Sequence, residues 1–188
     1  MQFESCGTSS EKIRLEKEKA NGFNSLKDVL QAQLEDLHSA EQQLVVALPK
    51  MAQAAHHDEL RQAIEHHHEE TREHLRRVDE ALGELGVSMP AEDCMAMRGL
   101  IAEGEELMQR GGDPTAKDAA LIGAAQRVEH YEIAAYGTAR QLADDCGYDS
   151  IKDLMDQTLD EESSADKLLT KIATGGMFRA GINQHATV

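Results

Sequence analysis

Acidic and imidazole side chains interrupt four apolar helical stripes of this sequence, and those interruptions are where chemistry could reside. Along positions 30, 34, 37, 41, 44 and 48 every seam residue is Leu except Glu41. The stripe Leu121, Ala125, Val128, Tyr136 and Ala139 is broken by Glu129 and Glu132, which stand three apart and so share a helix face. Met155, Thr158 and Leu169 are broken by Glu162 and Asp166, four apart. His67 and Glu70 fall between Ile64 and Leu75. A lone glutamate on a helix is ordinarily solvated. Here the interruptions coincide on four stripes.

Spacing brings these turns to one depth. Glu41 precedes a turn near residue 56 by 15 residues and Glu70 follows it by 14, while Glu132 and Glu162 stand 15 residues either side of Gly147. Residues equidistant from the turn of an antiparallel helix pair face one another. Asp36 falls opposite residue 76, too far along to join them. Uncompensated burial of carboxylates is costly or forces them to protonate, and no Lys or Arg occupies the inward positions of this register. A pair of metal ions per chain supplies the missing charge. Glu41, Glu70, Glu129, Glu132, Glu162 and Asp166 with His67 make the donor set of a dinuclear carboxylate site, whose hard oxygens favour iron or manganese.

Neighbouring residues receive plainer readings. His74 stands four residues from Glu70 and could join it, whereas His130, beside Glu129, is read as facing a neighbouring helix. Glu161 is the alternative to Glu162; the latter is preferred because Asp166 shares its face. His66 and His68 should point away from His67, and His38, His56, His57 and His185 fall on outer faces, turns or the tail. Met95, Met97 and Met108 read as packing. No nucleophile elbow, phosphate loop or dinucleotide fingerprint is present.

The elements that must hold these groups follow from periodicity and punctuation. Helices are expected over about 25–55, kinked at Pro49, and over 59–85, stopping at Gly86 in a left-handed cap. A shorter helix is expected over about 91–109, closed by Gly111-Gly112-Asp113-Pro114, followed by helices over 117–146 and 150–173. The connection over 87–117 is long enough for the helix after it to run parallel to the helix before it. Hairpin, crossover, hairpin is the connectivity of an all-α, ferritin-like four-helix bundle with an extra short helix on its crossover. Residues 1–22 read as a flexible or helical arm, 23–174 as the bundle and 175–188 as a soft tail.

Composition agrees with that class. The 188 residues suit one domain, and with no Trp, three Phe and three Tyr the stock for a sheet is thin. Nineteen Lys and Arg against 35 Asp and Glu leave a net charge of −16, which repels nucleic acid. No stretch is apolar enough to span a bilayer, and the first residues lack the apolar core of a signal peptide. Cys6, Cys94 and Cys146 are odd in number and far apart, which suits a reducing cytoplasm and neither a disulfide scaffold nor a zinc ribbon.

The runs SAEQQLVVALPKMA (39–52), HHEET (67–71), AMRGLIAEGEEL (96–107), DAALIGAAQRVEHYEIAAYGT (118–138) and TLDEESSADKLLTKIA (158–173) resemble the YciE/YciF-type ferritin-like stress proteins of bacteria. That resemblance covers residues 25–173, and VEHYEIAAYGT is its most specific part. It implies a bundle related to rubrerythrin and manganese catalase, usually dimeric, with Glu41, Glu129, Glu132 and Glu162 in the positions of metal-binding glutamates. Two departures stand out. His67-x-x-Glu70 reverses the usual Glu-x-x-His order, and Asp166 occupies the place of a histidine. A rubredoxin-like cysteine quartet is also missing. The expected function is redox chemistry of a dinuclear metal protein on hydrogen peroxide or dioxygen. The alternative is a metal-binding structural or storage protein without turnover.

Overall fold

The computed structural model describes residues 22–88, 90, 93–176 and 179–186. Among the described residues the regular structure is helical apart from one two-residue ladder. Its elements are α1 (Leu26–Ala54), α2 (Asp58–Leu85), α3 (Met95–Gln109), α4 (Pro114–Cys146), α5 (Asp149–Thr174), β1 (Gly175–Gly176), β2 (Arg179–Ala180) and α6 (Ile182–His185). The arm over 1–21 and the expected helix start at Ala91 lie outside the described residues.

Local chemistry sets the helix ends. Ser25 and Asp28 form a reciprocal capping box at the start of α1, which then runs without interruption through Pro49. Gly86 closes α2 at a φ of +86°, a conformation that costs a residue with a Cβ but not glycine. Helix α2 has no side-chain cap of its own. Instead Asp118, buried on α4, accepts from the backbone N–H groups of His56 and His57 at 2.8 and 2.7 Å. Cys94 caps α3 with its sulfur, so that helix begins four residues later than the spacing suggests. Helix α4 begins three residues earlier, at Pro114. Asp113 caps it and the proline takes the first helical position, so Asp113-Pro114 opens a helix rather than ending a loop.

Packing fixes the directions. Helix α1 packs on α2 and α4, α5 packs on α4 and α2, and α3 covers α4 and α1. Antiparallel register is shown by paired contacts: Glu84 with Ser150 and Arg77 with Thr158 between α2 and α5, Gln126 with Thr170 and Arg140 with Asp156 between α4 and α5. Two apolar clusters occupy the two ends. One joins Leu30, Leu34 and Leu37 to Val78, Leu82, Tyr136, Ala143, Ile151 and Met155. The other joins Leu44 and Leu48 to Ile64, Val128, Leu169 and Ile172. The polar turn of every stripe lies between them.

The chain continues beyond α5 with local structure of its own. Gly175–Gly176 pairs antiparallel with Arg179–Ala180, and Ile182 is buried in the second cluster. Gly181 makes that return possible, since a Cβ there would lie 2.2 Å from the Gly175 nitrogen.

Candidate metal centre

Between the two apolar clusters lie Glu41 of α1, His67 and His74 of α2, Glu129 and Glu132 of α4, and Glu162 of α5, all buried. Their donor atoms form two groups that share Glu162. His67, Glu129, Glu132 and Glu162 offer atoms within 4.8 Å of one another, and so do Glu41, His74 and Glu162. His67 Nε2 stands 3.5 Å from Glu129 Oε1 and 3.7 Å from Glu162 Oε2. His74 Nδ1 stands 2.8 Å from Glu162 Oε1 and 3.8 Å from Glu41 Oε1. The Tyr136 hydroxyl donates to Glu41 Oε1 and occupies one of its two oxygens.

Burial dominates the electrostatics. It pushes Glu41 up to about 7 against the opposing pull of His74. It also raises Glu129 and Glu132 well above the carboxylate range, with Glu162 adding like charge beside both. Desolvation would lower His67, but the charges of Glu129, Glu70 and Glu162 overcome it and raise the imidazole to about 10. Glu162 is held below its usual value despite burial, because it lies against His74 and near His67. Glu41 Oε2, both ring nitrogens of His67, Glu129 Oε2, both oxygens of Glu132 and Glu162 Oε2 have no hydrogen-bond partner, and His74 Nδ1 and Glu162 Oε1 have only each other. Orphaned buried donors of this kind are costly. Oxygen and imidazole atoms converging on shared points are the donor set a divalent or trivalent ion requires, so the cluster could hold metal ions.

The second imidazole is held from behind. Glu161 Oε2 lies 2.8 Å from His74 Nε2, and Arg77 clamps Glu161 through Nη1 and Nη2 at 2.6 and 3.1 Å while also donating to Thr158. Burial would raise Glu161, but Arg77 and His74 hold it below the usual carboxylate range. With a metal ion bound, Nε2–H would donate to Glu161 and leave the Nδ1 lone pair of His74 facing Glu41 and Glu162. Orienting partners of this type change metal affinity by about 10–100-fold. Glu161→Gln is therefore expected to weaken cobalt binding by at least about 10-fold and, by taking the carboxylate from the buried Arg77, to lower the melting temperature of the metal-free protein. Titration followed by visible absorption, beside calorimetry, checks both.

The cluster contains Glu41, His67, Glu129, Glu132 and Glu162 from the residues expected on sequence grounds. Glu70 and Asp166 belong to neither group and sit at the edge, half-buried. Glu70 lies 3.5 Å from His67 Nδ1, and Asp166 accepts from Gln126 and lies 3.3 Å from His130. His74 takes the place opposite Glu41 that spacing assigns to Glu70. Helical side chains lean toward their own N-termini, so Glu41 leans away from the α1–α2 turn and α2 side chains lean toward it. The partner of Glu41 consequently lies one turn farther along. His130 does face a neighbouring helix, through Asp166 of α5, but with its ring largely exposed. One further reading is corrected. A cation does lie near the inward face, since Arg77 is buried, but Glu161 and Thr158 engage it. Asp36 lies apart and receives the Tyr131 hydroxyl.

Similarity to known proteins covers the same span. The family profile described as domain of unknown function DUF892 matches residues 25–186. Protein YciF of Escherichia coli (strain K12) is 40% identical over 163 residues, which is 86% of this chain and 98% of that protein. The crystal structure of the E. coli stress protein YciF has a TM-score of 0.77 at 41% identity, covering 79% of this chain and 94% of its own. YcfI from Rhodopseudomonas palustris, whose description proposes a structural role, has a TM-score of 0.78 at 38% identity, with 82% and 98% covered. Every buried residue of the cluster falls inside the matched span, and the chain belongs to the DUF892 family as a relative of the stress protein YciF.

Proposed function

We propose that the chain is a ferritin-like four-helix-bundle protein of the stress response that binds a pair of iron or manganese ions and acts on hydrogen peroxide or dioxygen. The observation that carries this reading is the set of orphaned buried donors centred on Glu162. Ionised, as metal binding requires, Glu41, Glu129, Glu132 and Glu162 would bring four negative charges to an interior whose own cations are the imidazoles of His67 and His74 and an Arg77 already engaged by Glu161. A pair of divalent ions cancels that charge, and Glu70 and Asp166 at the edge add the further negative charge that a trivalent pair would need. When bound, such a pair supplies one-electron changes at each ion to the two ends of an O–O bond.

The remaining work belongs to the chain. Glu162 belongs to both donor groups and would help to hold each ion. His67 with Glu129 would serve one ion, and His74 with Glu41 the other. Tyr136 fixes the Glu41 carboxylate by donating its proton, and the apolar clusters on either side exclude bulk water. The cytoplasm and a homodimer are the setting proposed for this chemistry. Among the described residues no helix is long and apolar enough to cross a membrane.

A second reading, a structural or storage protein without turnover, draws support from the description of YcfI. Anaerobically reduced, iron-loaded protein mixed with hydrogen peroxide in a stopped-flow instrument separates the two. Oxidation of the iron within seconds, with slow turnover until an external reductant is added, is expected of the redox protein. Iron that stays divalent for minutes identifies the structural or storage protein.

A further inference from the structure

A cavity of about 120 Å³ runs between α2 and α5 to the buried cluster. Its outer lining includes the exposed ring of His66 and the half-exposed Leu168, and its inner end is formed by His67 and Glu129. Between them the walls are apolar: Leu48, Ala63, Ile64, Ala165 and Leu169. Glu70 and Glu161 add negative charge along the way.

Size, polarity and charge together restrict the occupant. The volume equals about four waters, so metabolites of ordinary size do not fit. Carboxylates at Glu70 and Glu161, within a chain of net charge −16, disfavour anions. Hydrogen peroxide would fill the polar inner end and leave the apolar walls against water. A short alkyl body would cover those walls and gain the burial that hydrogen peroxide cannot.

We propose that this cavity is a binding pocket for small neutral hydroperoxides, with the alkyl group against Ile64 and Leu169 and the polar end toward His67 and Glu129. As a substrate assignment this rests on the metal-centre reading, whereas binding itself does not require metal. The pocket thus selects small alkyl hydroperoxides over hydrogen peroxide.

The test uses metal-free protein carrying labelled methyl groups. Titration with tert-butyl hydroperoxide is expected to shift the methyl resonances of Ile64 and Leu169 with an affinity at least about 10-fold tighter than for hydrogen peroxide. Ala165→Phe, which fills the cavity from α5, is expected to abolish those shifts. Ala63→Leu does the same from α2, should the larger substitution disturb folding. Shifts that persist in a folded filled variant, that spread to methyls elsewhere, or that are equal for the two peroxides overturn the proposal. Metal content measured on the same preparation is an independent result. A chain that binds the hydroperoxide but no metal retains the pocket and loses the substrate assignment, and a chain that binds metal but no hydroperoxide retains the centre alone.

Discussion

Replacing Glu132 with alanine is expected to take the metal content from about two ions per chain to below about one, and to weaken binding by at least about 100-fold. Both Glu132 oxygens are buried without a hydrogen-bond partner, and they lie in the group with His67, Glu129 and Glu162. Removing them deletes donor atoms and charge at once. Asp36→Ala is the matched control. Asp36 also meets a tyrosine of α4, but its partner is Tyr131 rather than the cluster, and the variant should load normally. Elemental analysis of both proteins, with melting curves to show that each is folded, makes the comparison. Equal loss from both variants would place the ions elsewhere.

The second large effect is on stability, and its dependence on pH has opposite signs with and without metal. In the metal-free protein Glu41 titrates at about 7 instead of 4.5, so the folded state binds its proton more tightly than the unfolded state does. That contribution is complete below the unfolded value and is lost as pH rises through about 7. Glu129 and Glu132, raised well above 4.5, act in the same direction at higher pH. His67, raised from 6.5 to about 10, contributes below its unfolded value and loses that contribution as pH rises through about 10. All four therefore make the metal-free protein more stable as pH falls from 8 toward 5.

Glu41 alone accounts for about 3 kcal/mol, or about 10 °C in melting temperature. Glu161 and Glu162 are held low, so their contribution exists above the unfolded carboxylate value and fades as pH falls through their lowered folded values, which sets the maximum near pH 5. The metal-loaded protein should melt higher at pH 8 and lose that advantage toward pH 5, because protons compete with the ions for the same atoms. Calorimetry of chelated and loaded protein across this range reads both slopes. A metal-free protein indifferent to pH would mean that the acids are solvated.

Much of the architecture is legible in the sequence because its signals are local. Leucine periodicity over 30–48 defines α1, and Gly86 and Gly147 end α2 and α4 where left-handed caps are required. The boundaries that differ rest on chemistry that periodicity does not register: the Cys94 sulfur cap, the Pro114 start and the return of the chain at Gly181. The polar interruptions locate the cluster for the same local reason. Placing each residue within it depends on how two helices slide past one another. A stripe analysis ranks Glu70 above His74, but antiparallel side chains that lean in opposite senses bring His74 to Glu41. A signal for His74 does exist in the sequence, since it stands seven residues after His67 and returns to the same face after two turns. The role of Glu161 as the partner of His74 was not legible. It depends on Arg77 reaching across from α2 to clamp it.

The measurement that bears most directly on a buried dinuclear centre is the metal-to-chain ratio. The protein is stripped with a chelator, incubated anaerobically with excess iron(II) or manganese(II), freed of loosely held ions, and analysed for metal against protein concentration from amino-acid analysis. The account predicts about two ions per chain in the wild type and less than about one in Glu132→Ala. A wild-type ratio near zero would contradict it and would leave Glu129 and Glu132 protonated in the core beside a Glu162 ionised against His74 and His67.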